Sequence, residues 1–185
     1  MDITAPQLAL ACDCALPRAE NWLATINAAM RLYLIDSPRR QAAFLAQVAH
    51  ESGRLRYTRE IWGPTEAQLR YEGRADLGNT QPGDGYRYLG RGLVQITGRA
   101  NYTAARDGLR LVEPATPDFV SRPDLLEAPR WAALSAAWYW SSRGLNALAD
   151  AGAFERITRR INGGTNGLAE RETLWAGAKG ALGLA

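Results

Sequence analysis

The stretch AQVAHESGRLRYTREIW, residues 46–62, carries two glutamates, Glu51 and Glu60, on either side of a glycine. The residues before that glycine predict a helix over 38–52, with Ser37 as N-cap, Pro38 as first helical residue and Gly53 as the stop. On this helix Phe44, Val48 and Glu51 fall at i, i+4 and i+7, which places Glu51 on the stripe that packs inward. Desolvation first, and then the unpaired carbonyls of the last helical turn, disfavour its ionised form; a carboxyl kept protonated near neutrality is what a general acid needs. Glu60 follows in RLRYTRE, close in sequence to Arg54, Arg56 and Arg59, where positive charge keeps a carboxylate ionised and able to act as a base or to stabilise a cation. Two carboxyl groups pushed apart in pKa are the pattern of acid/base work at a glycosidic bond. The plainer reading, solvated charges or cap partners, stays open on pattern alone.

Other chemistries find less support. His50 is the only histidine, HESGR lacks the second histidine of HExxH, and a three-histidine zinc site is excluded, so neither metal nor cofactor is expected. There is no GxSxG elbow, no GxxxxGK[ST] phosphate loop and no GxGxxG after a strand. Cys12 and Cys14, two residues apart, cannot easily form an unstrained disulfide and are read as reduced thiols. Net charge is +3 over 185 residues, a mild basic bias that suits an anionic polymer; the arginines are scattered along the chain, so nucleic-acid binding rests on the isoelectric point alone and is not expected. No stretch approaches the ~20 apolar residues of a membrane span, and the first residues lack a basic n-region, which predicts neither membrane insertion nor an export signal.

The elements that must position these groups are mostly helical. Residues 17–34 carry Trp22, Ile26, Ala29, Met30 and Tyr33 at spacings of three and four. APRWAALSAAWYWSSRG is apolar almost all round and reads as a central helix. Phe154, Ile157 and Ile161 define another, and NGLAERETLWAGAKGAL a last one with Asn166 as cap. Between them, residues 73–98 form a long glycine-rich loop; six glycines and Pro82 within 73–92 argue against any helix there. The LVQIT that ends it reads as a short strand, with Leu93, Gln95 and Thr97 on one side. Trp62, Tyr71, Tyr86 and Tyr88 flank the loop, as sugar-stacking rings or as core anchors. The fold class is mainly α with a small strand element, one domain over residues 1–185 and no separate wall-binding module.

AFLAQVAHESG, then Glu60, then YLGRGLVQITGRANY (88–102), then ITRRINGG (157–164) resembles the pattern of glycoside hydrolase family 19, in the branch of phage and prophage endolysins. These blocks occur in the family's order and span residues 43–164; GRGLVQITGRANY and INGG together are specific. The resemblance implies a lysozyme-like, two-lobed helical fold with the glycine-rich loop beside a cleft, and inverting, metal-free hydrolysis of a β-1,4 glycan. It implies Glu51 as general acid and Glu60 as general base, with Glu66 and Glu72 as alternatives for the second carboxylate. It implies Thr97 at the hydroxyl position that helps hold the attacking water, and Gln95, Asn101 and Asn162 as substrate-binding residues. Arg171 matches a cleft arginine only at a loose spacing and is not counted with them. An inverting pair needs its carboxyls about 6.5–9.5 Å apart so that a water fits between.

The expected activity is therefore that of a peptidoglycan-degrading endolysin cutting between N-acetylmuramic acid and N-acetylglucosamine. It would be a monomer made in the bacterial cytoplasm, reaching the wall through a separate holin-type protein. Chitin hydrolysis and non-catalytic glycan binding are the alternatives.

Overall fold

The computed structural model describes residues 1–184, and the chain is mainly helical. In chain order the helices are α1 (Ala5–Ala11), α2 (Leu16–Leu32), α3 (Pro38–Glu51), α4 (Glu66–Leu69), α5 (Asp84–Arg87), α6 (Arg99–Arg110), α7 (Pro129–Ser142), α8 (Leu145–Asp150), α9 (Phe154–Asn162) and α10 (Leu168–Ala181). Short 3-10 turns lie at Ala75–Leu77 and Pro123–Glu127. The backbone separates into two compact units, Met1–Arg56 with Tyr139–Ala185, and Tyr57–Trp138.

In the first unit α3 is the central helix. Residues 41–49 are all buried, and α3 packs against α10, α8 and α1. Phe44 meets Trp140 edge-on with ring centroids 5.5 Å apart. Each such side chain taken from water contributes about 1.5–3 kcal/mol, which ties the helix to its neighbours along its length. Its ends follow the sequence reading: Ser37 caps it by accepting from the Arg40 N–H, and Gly53 past its C-terminus takes a positive φ. The last helix departs from that reading. Gly167, at φ 69°, is the N-cap of α10, and Asn166 only lends its carbonyl to Asn162.

The second unit packs a loop-rich chain on α6 and α7 around Tyr88, Leu93, Tyr102, Leu109, Phe119 and Leu126, all buried. Helices α1 and α6 are absent from the sequence reading, although Tyr102, Ala105 and Leu109 give α6 the helical spacing that marks a buried face. The glycine-rich segment holds two turns of helix that its composition argues against, Ala75–Leu77 and Asp84–Arg87. Side chains compensate for poor propensity there. The Glu72 carboxylate accepts from the N–H groups of Gly83 and Gly85, at 2.6 and 2.8 Å, at the start of α5. Buried Asp84 accepts two bonds from the Arg99 guanidinium, and Asn79 accepts from the Arg99 N–H while donating to the Tyr71 carbonyl.

LVQIT does not form a regular strand. Arg91 makes isolated antiparallel bridges to Arg59 and to Ile96, so Gly92–Gln95 turn the chain back on itself. Gly92, at φ 95°, starts that reversal. Leu93, Val94 and Ile96 are buried while Gln95 and Thr97 are half-buried, so strict alternation fails because Leu93 shares no face with the two polar residues.

Candidate active site

Glu51 ends α3 in the first unit. The sequence placed its carboxyl among apolar side chains; the structure gives it a guanidinium. Arg171, from α10, donates from Nη2 to Glu51 Oε1 at 2.5 Å, and its side chain is 3% exposed against 23% for Glu51. Arg171 Nη1 also donates to Gln47 Oε1, and Gln47 Nε2 donates to Thr158 Oγ1 at 2.8 Å. Gln47 stands one turn before Glu51 on the same face, so α9, α3 and α10 are joined by a single buried polar chain, Thr158–Gln47–Arg171–Glu51. The carboxylate is thereby held in one rotamer.

His50, beside it, has its Nδ1 3.0 Å from Glu170 Oε2, at an angle that makes no hydrogen bond. Burial first, then the Arg171 charge, hold the imidazole below its usual pKa, with Glu170 and Glu51 opposing. Tyr139 donates its hydroxyl to the Ile161 carbonyl at 3.0 Å, and burial raises its phenol.

Glu60 lies in the second unit, and its partners also differ from those its sequence neighbours suggest. Its Oε1 accepts from Gln68 Nε2 at 3.0 Å and from the Tyr71 hydroxyl at 3.2 Å; its Oε2 accepts from the Gly90 N–H at 3.0 Å. All three donors are neutral. Arg54 is taken by Asp13 and Glu170, and Arg59 turns toward Glu127 and Tyr86. Burial first, and then the Glu60 charge, raise the Tyr71 phenol, so it remains a donor at neutral pH. The Glu60 N–H donates in return to the Gly90 carbonyl at 2.8 Å.

Gln68 is the hub of this arrangement. Buried, it caps α4, its Oε1 accepts from the Gly63 and Thr65 N–H groups, and its Nε2 donates to the Ile61 carbonyl as well as to Glu60. Every hydrogen-bonding position of the amide is used.

Of the remaining sequence candidates, Gln95, Thr97 and Asn101 lie in the second unit with Glu60 and Asn162 in the first with Glu51. Gln95 packs on Gly90: a Cβ at Gly90 would stand 2.5 Å from Gln95 Oε1, so a larger residue there would push the Gln95 amide aside, next to the backbone that holds Glu60. Thr97 is half-buried, and its carbonyl accepts from Asn101 Nδ2 at 2.7 Å, which links those two residues. Asn162, in the first unit with Glu51, shapes its own turn, donating to the Asn166 carbonyl and accepting from the Gly164 N–H. Glu66 opens α4 on the surface, and Glu72 is engaged with Gly83 and Gly85. Of the flanking rings, Tyr88 is a core residue; Trp62 packs on Tyr86 and Tyr71, with centroids 5.2 and 6.3 Å away.

Sequence reasoning missed Gln47 and Gln68 and set Arg171 aside. A signal existed for two of them. Gln47 lies four residues before Glu51 within an apolar helix, and Arg171 shares the buried stripe of α10 with Leu174 and Ala178. A polar side chain on a packing face needs a buried partner. Gln68 offered only its N3 position after Thr65 in a capping box. Among the described residues no cluster of three or more His, Cys, Asp or Glu side chains is placed to hold a metal ion, and no helix is long and apolar enough to cross a membrane.

No protein-family model matches the chain. A glycosyl hydrolase family 19 domain-containing protein of Haemophilus influenzae is 36% identical over 163 residues, covering 73% of this chain and 76% of that protein. An endochitinase of Arabidopsis thaliana is 40% identical over 123 residues, 66% of this chain but 39% of the plant protein. Among solved structures, chitinase C from Streptomyces griseus superposes with a TM-score of 0.77 at 24% identity, over 99% of this chain and 77% of that one. A bacterial family 19 chitinase gives 0.76 at 24% identity, over 99% of this chain and 96% of its own. The solved structures share the fold, and the extent of the match to the Haemophilus protein makes this chain a member of glycosyl hydrolase family 19.

Proposed function

We propose that this glycoside hydrolase cuts the β-1,4 bond between N-acetylmuramic acid and N-acetylglucosamine in peptidoglycan, with inversion, using Glu51 as general acid and Glu60 as general base. The observation that carries the reading is that each carboxylate has its Oε1 occupied by side-chain donors and keeps acceptor capacity at Oε2. Arg171 engages Oε1 of Glu51, so the proton for the leaving oxygen is carried on Oε2. Gln68 and Tyr71 occupy Oε1 of Glu60, while Oε2 has only the Gly90 N–H and keeps a lone pair for the proton of an attacking water. Thr97, Gln95, Asn101 and Asn162 are proposed to bind the water and the sugars.

One observation supports the wall polymer: the net charge of +3 favours an anionic envelope. On this reading the enzyme acts as a monomer on glycan strands in the bacterial envelope, reached through a separate membrane-permeabilising protein.

The second reading is chitin hydrolysis, favoured by the names of the plant relatives and of the Streptomyces neighbour. Digestion of purified sacculi followed by mass spectrometry of the soluble fragments separates the two. Fragments ending in reducing muramic acid, absent with Glu51→Gln, are expected. Release of reducing ends from chitin oligomers but not from sacculi reverses the assignment, and anhydromuramic ends replace hydrolysis by a transglycosylase reaction.

A further inference from the structure

A continuous run of side chains leads away from Glu60 across the surface of the second unit. The Tyr71 hydroxyl rests on the carboxylate, Trp62 packs between Tyr71 and Tyr86, and the Tyr86 hydroxyl accepts from Arg59 Nη2 at 3.1 Å. The Arg59 guanidinium lies 6.0 Å from the Tyr86 ring centre. This run is open to solvent at its far end, where the Arg59 side chain is 42% exposed and Tyr86 54%. Aromatic rings beside a sugar-cleaving carboxylate are an apolar floor for pyranose faces. A guanidinium at the end of that floor is a different kind of group.

Its charge is not cancelled. Glu127 is the acid in ion-pair range, and its Oε1 is already bound at 2.6 Å by Arg91 Nε, from a guanidinium only 7% exposed. Arg59 Nη1 stands 3.8 Å from that same oxygen. Two guanidiniums thus share one carboxylate, leaving about one positive charge at the surface, on the more exposed of the two. Backbone pairing fixes where it is presented: the Gly92 N–H donates to the Thr58 carbonyl and the Glu60 N–H to the Gly90 carbonyl, so Arg59 sits on the segment that also carries Glu60.

We infer that Arg59 is a specificity-determining residue that binds a carboxylate carried by the substrate, selecting an acidic glycan over a neutral one. A polymer of N-acetylglucosamine has no such group. Peptidoglycan has two sources of it, the lactyl carboxylate of a muramic acid freed of peptide and the carboxylates of the stem peptide, and a forked guanidinium suits either. The inference rests on Glu60 belonging to the reacting site, and it deepens the proposed function by naming the group that would separate wall polymer from chitin.

The test compares soluble muropeptide oligomers with N-acetylchitohexaose for wild type, Arg59→Gln and Arg59→Lys. Arg59→Gln is expected to lower the preference for the muropeptide, as the ratio of kcat/KM values, about tenfold and mainly through KM, with Arg59→Lys restoring most of it and about 0.5 M salt shrinking the gap as screening requires. Strands stripped by an amidase carry the lactyl carboxylate alone, so an effect kept there assigns that group and an effect lost there assigns the peptide. A preference ratio unchanged by Arg59→Gln on both intact and stripped strands overturns the inference. If wild type hydrolyses neither polymer, the proposed function fails. Calorimetric affinities of Glu51→Gln and of Glu51→Gln with Arg59→Gln for the muropeptide then still decide the role of Arg59, equal values overturning it.

Discussion

Arg171 Nη2 lies 2.5 Å from Glu51 Oε1 although 120 positions separate the residues, and the guanidinium is almost wholly buried. Breaking such a pair from the cationic side leaves Glu51 facing a desolvated void and Gln47 without its donor. Arg171→Ala is expected to cost about 3 kcal/mol in urea unfolding, because removing one partner of a buried pair strands the other. Glu51→Gln keeps an acceptor for the guanidinium and is expected to cost less than half as much. Equal losses would mean that the pair is not a stabilising unit.

Gly167 stands against His50. A Cβ there would meet the imidazole Cε1 at 2.5 Å, and the residue's φ is 69°. Gly163 has a similar φ, 77°, with open space around it. Gly163→Ala is therefore expected to cost only the backbone strain, about 1 kcal/mol, and Gly167→Ala about 2–3 kcal/mol because the ring must also move. Thermal unfolding of the two variants side by side checks this ordering.

His50 also gives the fold a pH dependence of known sign. Its folded pKa lies below the ordinary value of 6.5, so between the two the unfolded chain binds more protons than the folded one. Its contribution is thus complete above pH 6.5 and is lost as pH falls through the lowered folded value. Stability curves of wild type and His50→Asn are expected to converge as pH falls through that window. A difference that stays constant with pH would refute the coupling.

Gln68 and Tyr71 hold the same oxygen of Glu60 but differ in what else they do. Gln68→Ala strips a donor from Glu60 and leaves the Gly63 and Thr65 N–H groups without their acceptor. It is expected to destabilise the second unit by about 1–3 kcal/mol and to lower kcat. Tyr71→Phe removes one hydroxyl donor and keeps the ring against Trp62, so kcat falls with stability changed by less than about 1 kcal/mol. Hydrogen exchange over residues 60–65 should rise in the first variant and not in the second.

The roles proposed for the two carboxylates are separated by leaving-group chemistry. Glu51→Gln is expected to lose about 10²–10⁴-fold on polymer and to recover much of that on an aryl glycoside whose phenolate needs no proton. Glu60→Gln lacks water activation and is expected to lose activity to the same extent on both. Identical behaviour of the two variants on the aryl substrate would remove the assignment of acid and base.

Local information was enough for α2, α3, α7 and α10 and for the place of Glu51 at the end of α3. Spacings of three and four residues mark α2 and α3, Ser37 and Gly53 bound α3 through the chemistry of its ends, and the position of Glu51 beside Val48 follows from one turn of helix. The motif blocks identified the family that the Haemophilus relative shows. Local information failed where a distant group supplies the energy. The hydrogen bonds of Glu72 and Asp84 create helical turns in a glycine-rich loop, and the pairing of Arg91 with Ile96 folds a strand-like pentapeptide into a reversal. It failed again for the partners of the carboxylates. Nearby arginines in RLRYTRE predicted a cationic setting for Glu60, yet its donors are Gln68, Tyr71 and a backbone N–H, while the guanidinium went to Glu51. Periodicity says which side of an element turns inward; only chain reversals, closed by packing over many residues, decide which polar group waits there, because a buried charge takes the partner that the fold brings to it and not the one beside it in sequence.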